Sequence, residues 1–194
     1  MKNFLLTISL LLGLLSFGQT PTKQEFRKAQ GDWIVSFGVN ALGNLGTRNP
    51  AERLGDFSMK NPFIVGIEYR WLDVLSLEQD IILNGYDEGE FIDDGVLSDK
   101  IFYFSTNTNV KFYFSDYLYD ANWVDLYVGT GLGFFTLNES NASFNLLAGV
   151  HFWVNQSKTF GIRLQTAGKF AFNHSQREFA NNHMIHSLQA LYRF

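Results

Sequence analysis

The chain has 194 residues, which suits one domain, and a net charge of −4, which gives no strong attraction to nucleic acid. It contains no cysteine, which excludes disulfides, thiolate metal sites and cysteine nucleophiles. Hydrophobic residues make up 46%, an ordinary soluble value, but 16% of the chain is aromatic and only 3 residues are proline, so long ring-rich strands are allowed.

Residues 1–20, "MKNFLLTISLLLGLLSFGQT", carry Lys2, an apolar run from Phe4 to Leu15, and then small residues. This is the order of a secretory signal. Cleavage is expected after Gly18, giving a signal peptide over 1–18 and a mature chain starting at Gln19. The apolar run is shorter than the roughly 20 residues of a spanning helix. Residues 19–31 read as a short polar leader on the periplasmic side, and 32–194 as the barrel domain.

From Asp32 onward the hydrophobic pattern has period two, which is the strand period. "DWIVSFGVNALG" places Trp33, Val35, Phe37, Val39 and Ala41 on one face. "KIFYFSTNTNVKFYFSD" places Phe102, Phe104, Thr106, Thr108, Val110, Phe112 and Phe114 on one side, with Asn107, Asn109 and Lys111 on the other. Eight strands are predicted: 32–43, 61–72, 74–84, 100–114, 123–135, 142–154, 159–172 and 183–194. The connections 44–60, 85–99 and 173–182 are long, 136–141 is shorter, and the intervening ones are mostly tight. Long loops at one end and mostly short turns at the other is the arrangement of outer-membrane barrels.

The charge distribution sets the sidedness. The apolar face of the strands departs from pure apolarity only at Gln79, Thr106, Thr108, Thr130, Thr166, Gly168 and His186. The opposite face holds Glu68, Arg70, Glu78, Asp80, Lys111, Asp125, Arg163, Lys169 and Arg193, beside Gly129, Gly131, Gly133, Asn145 and Gln165. Apolar-out and charged-in is the reverse of a soluble barrel. Aromatic residues cluster at both ends of the apolar face, as rings do at membrane interfaces. One set includes Trp33, Tyr69, Trp71, Phe112, Phe160, Tyr192 and Phe194, and the other Phe63, Phe102, Phe134, Phe144, Phe170 and Phe172. The fold expected is all-β: an eight-stranded antiparallel up-and-down transmembrane β-barrel, in the cell outer membrane, with both termini periplasmic and the long loops extracellular.

The signal segment, "WIVSFGVNALG", "NVKFYF", "LYVGTGLGFF", "FNLLAGVHFWV" and the terminal "HSLQALYRF" together resemble the small eight-stranded outer-membrane barrels of the OmpA/OmpX type. The likeness is greatest to the OmpA-family barrel domains of Bacteroidetes. It implies outer-membrane lipid and lipopolysaccharide as surroundings and the barrel-assembly machinery as a partner in biogenesis. Leu188, Tyr192 and Phe194 stand where that resemblance puts the C-terminal assembly signal. The sequence ends at Phe194 without the peptidoglycan-binding domain of many relatives, so wall tethering is not carried over.

For function, an eight-stranded interior is wide enough only for side chains. Four inward acids and five inward bases predict a paired network plugging the lumen, with acids such as Glu68 and Asp80 facing basic groups across the barrel. The favoured role is structural, or that of an accessory subunit in complex with other outer-membrane proteins. The alternative is a surface-loop binding protein. A small pore would need room, and Gly129, Gly131 and Gly133 could leave it; the other reading is relief of crowding beside Trp123, Tyr127 and Phe135. An outer-leaflet lipid-modifying enzyme would draw on His174, Ser175, Glu178, His183, His186 and Ser187, but alternation puts His186 and Ser187 on opposite faces. The loop acids Asp87, Glu88, Glu90, Asp93, Asp94 and Asp99 could hold Ca²⁺, though without EF-hand spacing. No phosphate loop, zinc spacing or nucleotide motif is present, so no enzyme activity and no cofactor are expected.

Overall fold

A computed structural model describes residues 31–43, 55, 57–92, 95–118, 123–137, 139–172 and 182–194. The signal peptide 1–18, nearly all of the leader, and His174, Ser175, Glu178, Asp93 and Asp94 lie outside the described residues. The strands are β1 (Asp32–Leu42), β2 (Phe63–Leu72), β3 (Leu75–Tyr86), β4 (Phe91–Ile92), β5 (Gly95–Val96), β6 (Ile101–Tyr113), β7 (Val124–Leu137), β8 (Glu139–Trp153), β9 (Phe160–Ala171) and β10 (His183–Arg193).

Among the described residues eight of these strands form one closed antiparallel barrel, in the cyclic order β1, β10, β9, β8, β7, β6, β3, β2. Each strand thus lies beside its chain neighbours, and the first and last complete the ring. That closing ladder runs from Ile34 opposite Arg193 to Leu42 opposite Ile185. Beyond it, Trp33 and Phe194 exchange backbone hydrogen bonds of 3.2 and 3.0 Å. The barrel therefore has no edge strand.

Strict alternation explains the register. Along β1 the outward residues Trp33, Phe37 and Val39 are exposed, while Ile34, Ser36, Asn40 and Leu42 are buried. The same two-fold pattern runs through β3 and β6. A one-residue slip would turn every one of these side chains to the wrong face. The barrel strands are 10 to 15 residues long, enough for a tilted membrane crossing of about 9–11 residues.

Three features differ from the sequence-based expectation. The connection 136–141 is mostly ladder: Phe135 pairs with Asn141, Thr136 with Ser140 and Leu137 with Glu139. The alternation continues through this polar stretch, with Leu137 buried inside and the Thr136 and Ser140 hydroxyls bonded outside at 3.1 Å. The connection 85–99 is not irregular throughout. It extends β3 to Tyr86 and then forms the small β4–β5 hairpin. Finally, Trp123 does not crowd the glycines of β7. It is 61% exposed on the outer surface and stacks on Phe152 with ring centres 6.2 Å apart.

The interior is layered. At the end where β3 meets the hairpin, an apolar cluster fills the lumen, including Leu42, Ile82, Tyr103, Phe135, Leu137 and Ile185. Leu97, from the connection after β5, is buried in the same cluster. At the turn end, Ile34, Trp153 and Leu191 pack together. Charged side chains lie between them.

Candidate functional site

Glu68 on β2 and Glu78 on β3 are direct register partners, an arrangement that is repulsive on its own. Two cations from other walls enter between them. Lys111 Nζ of β6 is 3.0 Å from Glu68 Oε2 and 2.8 Å from Glu78 Oε1. Arg163 of β9 places Nη2 2.5 Å from Glu68 Oε2 and donates from Nη1 to Glu78 Oε1. Its Nε donates to His151 Nε2 at 2.8 Å, and Tyr113 donates its hydroxyl proton to Glu68 Oε1. Glu68, Glu78, Lys111 and Arg163 are all buried, with two charges of each sign. Low dielectric strengthens these contacts and makes an unpaired member costly.

One level further toward the hairpin end the pairing is indirect. Asp80 was expected to face a base, but among the described residues no cation lies within ion-pair distance of it. Instead Asn107 Nδ2 donates to Asp80 Oδ1 at 2.5 Å and Asn109 Nδ2 to Oδ2 at 3.1 Å. Lys169 donates to Asn107 Oδ1, and to Ser105 Oγ at 2.9 Å. The Asn107 carboxamide therefore bridges the acid and the base: its two ends have opposite polarity, and each meets the matching charge. Asn145 Nδ2 adds a bond to Asn107 Oδ1 at 3.0 Å.

The β7 glycines make this ladder possible. A Cβ on Gly131 would lie 2.2 Å from the Thr108 carbonyl oxygen and 2.4 Å from Asn109 Oδ1. One on Gly133 would lie 2.2 Å from Asn107 Oδ1 and 2.8 Å from Lys169 Nζ. The space released by three glycines is thus occupied by Leu147 and the amide ladder. The gap remaining among Asp80, Asn107, Asn145, Gln165 and Lys169 is about 10 Å³, room for one water molecule at most.

At the turn end Arg70 Nη1 is 3.3 Å from Asp125 Oδ2, and its guanidinium lies 4.1 Å from the centre of the Tyr113 ring. Asp125 also accepts from Trp153 Nε1 at 2.7 Å and from Lys158 Nζ at 2.9 Å. Lys158 comes from the β8–β9 turn, where its φ of 52° puts it in the left-handed region. Arg193 pairs with Asp32 at the rim and does not reach the central network. Asp32, Arg70, Tyr113, Asp125, Lys158 and Arg193 line a polar recess of about 180 Å³.

The other candidates do not come together. His183 is buried inside, its Nε2 2.8 Å from the Tyr103 hydroxyl, whereas His186 lies on the outer surface with Nδ1 2.8 Å from Thr166 Oγ1. Ser187 is buried inside and accepts from Gln189 Nε2 at 2.8 Å. Of the loop acids, Asp87 is engaged by cations: Lys60 Nζ is 2.7 Å away and Lys100 Nζ 3.8 Å. Leu188, Tyr192 and Phe194 are exposed along the outer side of β10, and the Tyr192 and Phe194 rings stack at 6.0 Å.

His151, Tyr113, Asn107 and Asn109 belong to the network although sequence reasoning did not single them out. Alternation places all four on the inward face, and that was the signal available. Their partners depend on side-chain reach across the lumen, which periodicity does not encode.

No protein-family model matches the chain, and no curated protein matches it. Solved structures do. Ail, the attachment invasion locus protein of Yersinia pestis, crystallised with the heparin analogue sucrose octasulfate, superposes with a TM-score of 0.51 at 17% identity, covering 86% of this chain and 100% of that one. The N-terminal β-barrel domain of Pseudomonas aeruginosa OprF gives 0.53 at 13%, covering 85% and 100%. The outer-membrane protein OprG of the same organism gives 0.53 at 14%, covering 84% and 96%. At these identities the shared property is the fold, that of small eight-stranded outer-membrane barrels.

Proposed function

We propose that the chain is an integral outer-membrane protein whose closed barrel has a structural role, alone or as an accessory subunit of a larger outer-membrane assembly. The observation that carries this reading is its inside-out construction. Exposed apolar side chains and two aromatic belts form the outer wall, while Glu68, Glu78, Lys111 and Arg163 are fully enclosed. In water that wall would be an apolar patch far larger than monomeric soluble proteins carry. In a bilayer it needs no cover. The filled lumen favours support over transport. No catalytic role is assigned, because among the described candidates His183 and Ser187 lie inside and His186 outside.

In this reading 1–18 directs export, and lipid and lipopolysaccharide surround the barrel. Residues 32 and 193 lie at the periplasmic end, and the β4–β5 hairpin faces outward from the cell. The outward row Leu188, Tyr192 and Phe194 engages the barrel-assembly machinery. The loop-binding alternative has one feature in its favour: the hairpin is folded and presents Val96 of β5 largely exposed. Fractionation tests the main reading. The protein is expected in the detergent-extracted outer membrane, with different gel mobility before and after boiling, because a closed hydrogen-bonded barrel resists mild SDS. Release in a soluble fraction without detergent would overturn it.

A further inference from the structure

Among the described residues the outer wall carries a polar cluster at mid-strand, where a bilayer offers nothing to satisfy it. Along β6 the outward positions run Phe102, Phe104, Thr106, Thr108, Val110, Phe112. Thr106 and Thr108 therefore sit midway between the aromatic ends of the strand. Gln79 of β3 is the register partner of Thr108 and is likewise exposed.

The three side chains form a hydrogen-bonded cluster. Gln79 Nε2 donates to Thr106 Oγ1 at 2.8 Å, and Thr108 Oγ1 donates to Gln79 Oε1 at 2.5 Å. The Thr106 hydroxyl passes its own proton to the Asp80 carbonyl oxygen at 3.2 Å. Both hydroxyl protons are thereby used. The glutamine is not complete: a carboxamide has two N–H donors and two acceptor lone pairs. Among the described residues Gln79 uses one of each. One N–H and one lone pair of this exposed side chain remain, at a depth where neither water nor lipid tails can meet them.

We propose that the β3–β6 face is a self-association surface in the membrane, on which Gln79 of one copy pairs with Gln79 of a second. This rests on the membrane-spanning reading above. The valences select the occupant. One spare donor beside one spare acceptor on a single amide is self-complementary about a two-fold axis. Each Nε2 donates to the other copy's Oε1, and both groups are satisfied in an isologous contact. The surrounding outward side chains, Leu77, Ile81, Val110 and Leu132, are apolar and uncharged, so two such faces meet without repulsion. The hydrophobic effect gives no drive between surfaces already in lipid, so side-chain packing and hydrogen bonds supply the adhesion. The second outward polar pair, Thr166 and His186, is on the opposite wall.

The chain has no cysteine, so single introduced ones report position cleanly. The full chain is folded into phosphatidylcholine vesicles, and unheated gel mobility verifies the barrel separately from association. Energy transfer between donor- and acceptor-labelled Val154→Cys is expected to fall on lipid dilution along a dimer curve. Gln79→Leu is expected to raise the dissociation constant about tenfold. Leu77→Cys is expected to cross-link on oxidation, and Leu164→Cys on β9 is not. A folded protein that remains monomeric, equal dimerisation of Gln79→Leu, or cross-linking of Leu164→Cys as efficient as that of Leu77→Cys would each overturn the proposal. So would capture in cells of a different outer-membrane protein by Leu77→Cys while the pure protein remains monomeric. Failure to fold into vesicles at all would instead count against the membrane-spanning reading.

Discussion

Glu68 and Glu78 face each other on adjacent strands, held together by a lysine and an arginine that enter between them from other walls of the barrel. Like charges in that position repel, and the two cations offset that repulsion. Arg163→Met leaves two buried carboxylates with one lysine. It is expected to destabilise the barrel by about 3–5 kcal/mol in urea unfolding from lipid or detergent. Adding Glu78→Gln is expected to recover part of the loss, because the excess negative charge is removed. Equal stability of Arg163→Met and the native protein would show that the network contributes nothing to folding.

The β7 glycines give a prediction about space. A methyl group at Gly131 collides with a backbone oxygen of the neighbouring strand, which cannot rotate away. Gly131→Ala is expected to cost about 1–3 kcal/mol through overpacking. Gly55→Ala is the control: its Cβ would meet nothing within 4 Å, and its effect is expected to stay within about 0.5 kcal/mol. If the glycines instead line an open passage, Gly131→Ala would be as silent as the control.

Much of the barrel was legible because its environment reverses at every residue. Where lipid lies on one side and a packed lumen on the other, period two is unambiguous, as in β1 and β6. The β7–β8 end was harder, since Thr136, Glu139 and Ser140 are polar whether they form a loop or a ladder. The apolar layer was hidden for the opposite reason. Tyr103, Phe135 and Leu137 lie on the face that elsewhere carries charge, and Leu97 reaches them from a loop. Asp80 shows the limit of alternation: it fixed the face, while the choice of Asn107 and Asn109 over Lys169 depends on distances across three strands.

Ion pairs from Lys60 and Lys100 to Asp87 tie down the start of the loop after β3, and that tie depends on pH. The hydrogen bond from Lys60, with the charges of Lys60 and Lys100, holds the Asp87 carboxyl below its ordinary value. A carboxylate depressed in the folded state contributes stability above its unfolded value near ~4, and loses it as pH falls through the folded value. The Gly89 and Leu97 amides, bonded to the carbonyls of Leu97 and Glu90 at 2.9 Å each, report on this loop. Their NMR signals in micelles are expected to shift or broaden on acidification below about pH 4, with strand signals unchanged. Lys60→Ala is expected to bring the same change at neutral pH. An unaltered Gly89–Leu97 region in Lys60→Ala would show that packing of Leu97 alone holds the loop.

The lumen is closed twice, by the paired charges around Arg163 and by the apolar layer around Phe135, with about 10 Å³ free beside Asp80. Conductance of the pure, folded protein in planar bilayers tests this most directly. No steady current above the bare membrane is predicted. Large, stable single-channel steps from the native protein would contradict a closed, structural barrel and make it a pore.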